Sequence, residues 1–333
     1  MMRRLLTIIL LSNAATSLAQ DIPLFSQKLT NSFLYNPALA GQSLGSLTYG
    51  YRRNFSNVSG APEDHFLSAH TPVVSAHAPS THYRLGFGIN LYQENVNVIR
   101  NSFATAAFAW HLRPNEYTVF SAGISTEFSV SKISPAAITN SSVPDPVLNE
   151  YRDNIPRFDA SFGVNYQTRY VRGGFALNKI SSTWLDQDAS FACFFSSYVQ
   201  GRFRMRAGKD RIEPYFSLRK FSPVYTSWDI GVFYTYLRRF IAGAAVRKGH
   251  IVNGTLAFQL TDYLLIGYSR EVVTSSLGQR VGTSNEITLR LDFSSYSKRV
   301  KNISDWSVYD PYESKFNKAT RTVHTKKMRR RYR

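Results

Sequence analysis

Four histidines crowd one stretch of the chain, at positions 65, 70, 77 and 82. A metal ion needs such side chains to converge on one point. His65 and His70 are five residues apart, so on a single strand they face opposite sides, and the acidic neighbours are only Glu63 and Asp64. The spacing points away from a metal centre, and no cofactor is implied. A second pattern, Gly41-Gln42-Ser43-Leu44-Gly45, matches the G-x-S-x-G nucleophile elbow. That chemistry needs a strand-to-helix turn presenting the serine above a parallel sheet, with a histidine brought to it in space. Strand-like residues follow Gly45 instead, and nothing in the placement of His65, His70, His82 or His111 selects a partner. No catalytic residue is assigned. A third set is Arg52, Arg53, Arg84, Arg202, Arg204, Arg219 and Arg290, all in or beside segments of alternating character.

Those segments decide what the arginines can do. In Ile287-Thr288-Leu289-Arg290-Leu291-Asp292-Phe293 the apolar residues point one way, and Thr, Arg and Asp the other. A dry core does not accept unpaired charges, so the polar face is the inside of a wet barrel and the apolar face meets lipid. The same pattern predicts strands near 44–55, 64–75, 82–93, 102–113, 116–131, 157–168 and 169–178. It continues near 190–205, 211–220, 226–237, 238–248, 251–260, 262–272 and 284–294, which makes fourteen, an even number as closed bacterial barrels have. Links at 113–115, 167–168, 237–239 and 260–262 are tight, whereas 132–156, 178–189 and 272–283 are long; the short link at 248–250 breaks the alternation. An outward arginine at the bilayer midplane costs about 2–4 kcal/mol, so the arginines belong in the lumen or at the rims. They make either a solvated, ion-paired lumen or a basic vestibule for acidic cargo or lipopolysaccharide phosphates. No 3.6-residue stripe lies between the strands, which disfavours parallel α/β folds.

The ends place the barrel. Arg3 and Arg4, an apolar run from Leu5 to Leu11, and Ser17-Leu18-Ala19 form a secretory signal peptide over residues 1–19. The residue directly after the cut is Gln20, not cysteine, so lipidation there is disfavoured, and the single cysteine, Cys193, excludes an intramolecular disulfide framework. The mean hydropathy is negative, yet 20 Tyr and 23 Phe are present, as expected when half of each strand faces water and aromatic girdles face lipid. Net charge is +18, and residues 294–333 carry twelve Lys/Arg against three Asp/Glu. Export argues against nucleic acid as the partner of this tail. The organisation read from the sequence is a signal peptide (1–19), an adapter or plug segment (20–43), an outer-membrane barrel (44–294) and a basic periplasmic tail (295–333).

Two stretches invite partner contacts. In Tyr35-Asn36-Pro37-Ala38-Leu39-Ala40-Gly41, Asn-Pro starts a turn, the alanines favour a short helical turn and glycine can end it. One reading is an adapter or a plug in the barrel mouth; the other is a contact surface using Tyr35, Asn36, Pro37, Ala38 and Gly41. In the tail, Trp306, Tyr309 and Tyr312 place aromatics ahead of a basic end; one reading is docking on a partner, since aromatics are untypical of a purely solvated coil, and the other is a disordered tail.

The sequence resembles the PorP/SprF family of the type IX secretion system, outer-membrane proteins of the Bacteroidetes lineage. The resemblance rests on Pro23-Leu24-Phe25-Ser26-Gln27, the 35–41 stretch, and Phe158-Asp159-Ala160-Ser161-Phe162-Gly163-Val164. It extends through Gly173-Gly174-Phe175-Ala176-Leu177-Asn178, Ile266-Gly267-Tyr268-Ser269 and Gly282-Thr283-Ser284-Asn285-Glu286-Ile287, and runs from about Gln20 to Phe293. Asn285 stands where the family usually has histidine. The resemblance implies a non-enzymatic export accessory. Its partners would be the type IX translocon, periplasmic and motor-linked components, and cargo with C-terminal sorting domains, gliding adhesins in one branch. An Asn-Pro-Ala element is similar to the hatch of fatty-acid transporter barrels, so a channel for hydrophobic small molecules is the second reading.

Overall fold

The computed structural model describes residues 25–27, 32–42, 45–73, 83–115, 118–133, 156–168, 170–181, 194–205, 210–220, 226–237, 239–261, 263–276 and 278–293. Residues 1–19, most of the 132–156 link, Ser43, His77, His82, Cys193 and the tail with Trp306, Tyr309 and Tyr312 lie outside these.

The strands are β1 (Ser46–Arg53), β2 (Glu63–Val73), β3 (Tyr83–Val96), β4 (Ile99–Asn115) and β5 (Thr118–Ile133). Next come β6 (Pro156–Gln167), β7 (Val171–Asn178), β8 (Phe194–Gly201), β9 (Phe203–Met205) and β10 (Asp210–Lys220). The last are β11 (Thr226–Tyr236), β12 (Phe240–Arg247), β13 (Ile251–Gln259), β14 (Leu264–Val273) and β15 (Thr283–Asp292). Each pairs antiparallel with its sequence neighbour, except that β8 and β9 both pair with β10, one beyond the other. They are two halves of a single stave interrupted at Arg202, so the segment expected as one strand over 190–205 is broken there. β15 pairs with β1 from Ser46↔Asp292 to Arg53↔Asn285, which closes a barrel of fourteen staves without an edge.

Alternation puts apolar residues outside and polar residues inside. Leu256 and Phe158 are each 65% exposed, whereas Thr48 and Thr288 are 1% exposed. On the outer face, Phe120 sits opposite Tyr166 and Phe240 opposite Phe258, with ring centroids 4.8 and 4.5 Å apart. All four lie at the short-turn end, where an aromatic girdle meets the bilayer interface. The links 54–62, 134–155, 179–193 and 274–282 are at the opposite end, as expected; 97–98 and 248–250 are short there, and 74–82 is long at the short-turn end. Among the described residues no helix is long and apolar enough to cross a membrane. The helical turns that matter are two 3₁₀ turns ahead of β1, Ser32–Tyr35 and Pro37–Leu39, and both lie inside the barrel.

Candidate functional site

The N-terminal segment crosses the lumen from wall to wall. At the long-loop end, the Ser26 amide donates to Glu286 Oε2 (2.7 Å), the Ser26 hydroxyl to Glu271 Oε1 (2.5 Å) and the Gln27 amide to Glu286 Oε1 (3.2 Å). These carboxylates belong to β14 and β15. Phe25 stacks edge-on against Phe66 of β2 at 4.4 Å. Residues 32–42 meet the opposite wall. Arg172 of β7 donates to the Ser32 hydroxyl (2.8 Å), and Phe33, Leu39 and Ala40 pack on Ala107 and Ala109 of β4. At the short-turn end, His111 Nε2 lies 2.8 Å from the Ala40 carbonyl oxygen, which can only accept, so that nitrogen carries the proton. Arg84 Nη2 donates to the carbonyls of Gly41 (2.8 Å) and Gln42 (2.5 Å), and the Gln42 side chain donates from Nε2 to Gln167 Oε1 (2.6 Å). The plug therefore runs the height of the barrel before the chain enters β1.

Local chemistry explains the turn. Asn36 is extended and caps Pro37–Leu39, its Oδ1 accepting from the Ala38 amide at 2.9 Å, with Pro37 at the first helical position. Its Nδ2 donates outward to the carbonyls of Val164 (3.0 Å) and Phe175 (3.3 Å). Gly41 has φ +66°, which ends the turn as glycine can. The barrel wall makes room with its own glycines. A Cβ on Gly123 would lie 2.5 Å from the Ala38 nitrogen; one on Gly163 would strike Asn36 Oδ1, and one on Gly86 the Ala40 carbonyl.

A buried ion network braces the other wall. Arg52 Nη2 is 2.6 Å from Glu271 Oε2, and Arg52 Nη1 is 3.7 Å from Glu286 Oε2. Arg247 joins Asp229 (2.6 Å) to Glu271 (3.0 Å), and Arg219 closes on Asp229 (2.9 Å). Three guanidiniums thus face three carboxylates. The Arg219 guanidinium also lies 5.7 Å from the centre of the Tyr35 ring. Tyr35 donates to the Phe25 carbonyl (3.2 Å), and removal from water pushes its phenol above the ordinary range.

The sequence-predicted residues fall into place unevenly. Arg52, Arg84 and Arg219 face the lumen but are buried rather than solvated, because the plug occupies the space water would fill. Arg52 and Arg219 are matched by carboxylates, whereas Arg84 is held by the Gly41 and Gln42 carbonyls. Arg202 and Arg211 share Glu213 at the short-turn end (3.5 and 2.8 Å), Arg290 pairs with Asp292 and exposed Arg53 with Glu63. His65 and His70 point to opposite faces: His65 accompanies Tyr49 outside (3.0 Å), and His70 meets Ser46 (3.1 Å) and the Gly41 amide (3.2 Å) inside. Asn36, Pro37, Ala38 and Gly41 are buried against the barrel wall in this conformation. Asn285 is on the outer face, accepting from Tyr268 (2.7 Å). Sequence reasoning did not single out Arg247, Asp229, Glu271 or Glu286 as site residues; inward charges on alternating strands were the available signal. No group of three or more His, Cys, Asp or Glu able to hold a metal ion exists among the described residues.

Comparison with known proteins gives a family. No curated protein matches the chain. Among solved structures it is similar to the Acinetobacter baumannii outer membrane protein Omp33, with TM-score 0.47 and 6% identity over 75% of this chain and 98% of that one. It is also similar to the P. putida toluene transporter TodX (TM-score 0.45, 10% identity, 79% and 94% covered) and to the CymD monoaromatic hydrocarbon channel (0.44, 11%, 79% and 93%). The family described as type IX secretion system membrane protein PorP/SprF matches residues 17–291. That span holds every described strand but the last residue of β15, together with the whole plug, and the chain belongs to the PorP/SprF family.

Proposed function

We propose that this outer-membrane barrel is a closed, non-conducting accessory of the type IX secretion system. Family membership implies association with components of the secretion machinery, and the barrel is of a non-catalytic kind. The finer role we assign is assistance in export, surface anchoring or machine assembly for cargo with C-terminal sorting domains, gliding adhesins among them. One observation carries this reading: the lumen is crossed by a segment bonded to both walls, from Ser26 on Glu286 to Gln42 on Gln167. A barrel sealed in this way works through its surfaces. The 132–156 link faces cargo or translocon, while the tail with Trp306, Tyr309 and Tyr312 docks on the periplasmic machine. Tyr35, Asn36, Pro37, Ala38 and Gly41 meet a partner only if the plug leaves the wall. Purifying tagged full-length protein from native outer membranes and identifying what accompanies it tests the assignment. Recovery of a large translocon barrel or a cargo with a sorting domain supports it.

One feature favours a channel for small hydrophobic molecules as the second reading. A lumen cavity of about 60 Å³ is bordered by Tyr35, Tyr198, Tyr215 and Phe233. Recovery of the barrel alone with bound lipid would favour this reading over the export role.

A further inference from the structure

The outer face of β1–β5 changes character along its height, and the register shows where. One row of directly paired outward residues is Tyr49, Leu67, Leu91, Ala104 and Phe128. Two residues nearer the long loops, the row is Tyr51, His65, Gln93, Ser102 and Val130. Two further on, it is Arg53, Glu63, Asn95, Arg100 and Lys132. Ala104 is small between Leu91 and Phe128, and an outer groove of about 360 Å³ opens there, bordered also by Tyr49, Leu67 and Val130. Its edge toward the long loops carries His65, Gln93 and Ser102. Lys132 stands twelve residues along β5 from Phe120 of the aromatic girdle. At about 3.4 Å per residue and a strand tilt of about 40°, that is about 31 Å along the membrane normal, past an apolar band about 25 Å tall. The groove therefore lies in the upper part of the lipid-facing band, and Arg100 and Lys132 stand at head-group level on the extracellular side.

Arg100 and Lys132 sit directly opposite each other on β4 and β5, and both are exposed. Like charges placed so on one sheet face destabilise the pairing. Among the described residues neither meets a carboxylate: Arg100 Nε donates to Asn95 Oδ1 at 3.2 Å, and the carboxylate of the same row, Glu63, lies with Arg53 at 3.5 Å on the far side of Asn95. An anion held between the two cations removes the repulsion. The apolar groove directly below says what that anion is attached to. The groove reaches from β1 to β5, which at about 4.8 Å per strand is about 19 Å, room for several acyl chains side by side. We propose that this wall binds the phosphorylated, multiply acylated glycolipid of the outer leaflet. Its phosphate sits between Arg100 and Lys132, its sugar hydroxyls meet Ser102 and Gln93, and its acyl chains lie in the groove over Ala104. The site is independent of the export role, because it rests on the outer wall alone.

The test titrates full-length protein in detergent with three probes and reads the adducts by native mass spectrometry. The probes are monophosphoryl lipid A, the same lipid without its phosphate, and phosphatidylethanolamine. The expected result is one saturable adduct with the phosphorylated glycolipid, bound more tightly than either of the others. Combining Arg100→Gln with Lys132→Gln weakens it about tenfold or more, since charge-assisted bonds to the phosphate are lost. Ala104→Trp fills the groove and weakens the glycolipid with or without its phosphate. Arg270→Gln, which removes an outward cation on β14, leaves binding unchanged. The heat-dependent gel shift of each variant, unchanged from wild type, shows that the barrel is intact. Equal binding of the glycolipid without phosphate, tighter binding of phosphatidylethanolamine, or no adduct at all would each overturn the proposal. So would indifference to the paired substitution or to Ala104→Trp in a folded barrel, or an equal loss in Arg270→Gln.

Discussion

The side-chain amide of Asn36 occupies the space that a side chain at Gly163 would need, and from there it donates 3.0 Å to the carbonyl of Val164, 128 residues away. Plug and wall are thus fitted to each other by the absence of one side chain and the presence of another. Gly163→Val forces Asn36 out of its seat, and overpacking of this kind costs about 1–3 kcal/mol. The expected outcome is faster proteolysis within residues 25–42 of the folded barrel, read by mass spectrometry of the fragments. Unchanged cleavage would mean that the seat does not hold the plug.

Glu271 is the hinge of the ion network, since it faces Arg52 and Arg247 at once and also receives the Ser26 hydroxyl. Glu271→Gln leaves two buried guanidiniums sharing one carboxylate fewer. Breaking one side of a buried pair costs about 3–5 kcal/mol. The temperature at which the barrel loses its compact gel mobility is expected to fall well below that of wild type. Gln at the neighbouring lipid-facing position, Val272→Gln, serves as a composition control near the strand end.

Arg84 holds the short-turn end of the plug by two carbonyls, of Gly41 and Gln42. Hydrogen bonds from a charged donor are each worth about 1.5–3 kcal/mol. Arg84→Met keeps the stem and removes the donors, so residues 40–42 lose their anchor. Hydrogen exchange is expected to rise at the Gly41 and Gln42 amides and to stay slow at Ser26 and Gln27, which are bound at the far end.

The orientation of every strand has a direct consequence at Leu256, which is 65% exposed in the middle of β13. If its face meets lipid, Leu256→Arg costs about 2–4 kcal/mol in a folding titration in bilayers. A cost near zero would put this face in water.

Period-two alternation made the strands readable: 226–237 was expected and Thr226–Tyr236 is observed, and 64–75 became Glu63–Val73. The alternation also told which side of Arg52 or Thr288 faces inward. It could not tell that Arg52 meets Glu271, because that contact depends on how the closed sheet brings β1 beside β14 and β15, residues separated by 219 positions. The same limit applied to the 35–41 stretch. Turn chemistry read Asn36-Pro37 correctly as a turn, but its seat is built from Gly163, which is silent in any local pattern. The interruption at Arg202 was missed for a similar reason: the two halves keep one register along β10, and alternation runs through the gap. In retrospect the family motifs marked the lock without explaining it, since Ser26, Asn36, Gly163, Gly174, Gly267 and Glu286 all belong to them and all touch the plug or form it.

The claim that this barrel acts through its surfaces depends on a sealed lumen, and conductance of the full-length protein in planar lipid bilayers tests that most directly. The account predicts no steady conductance from wild type and discrete open steps from the Gly163→Val variant. Steady, uniform open steps from wild type at low voltage would contradict it.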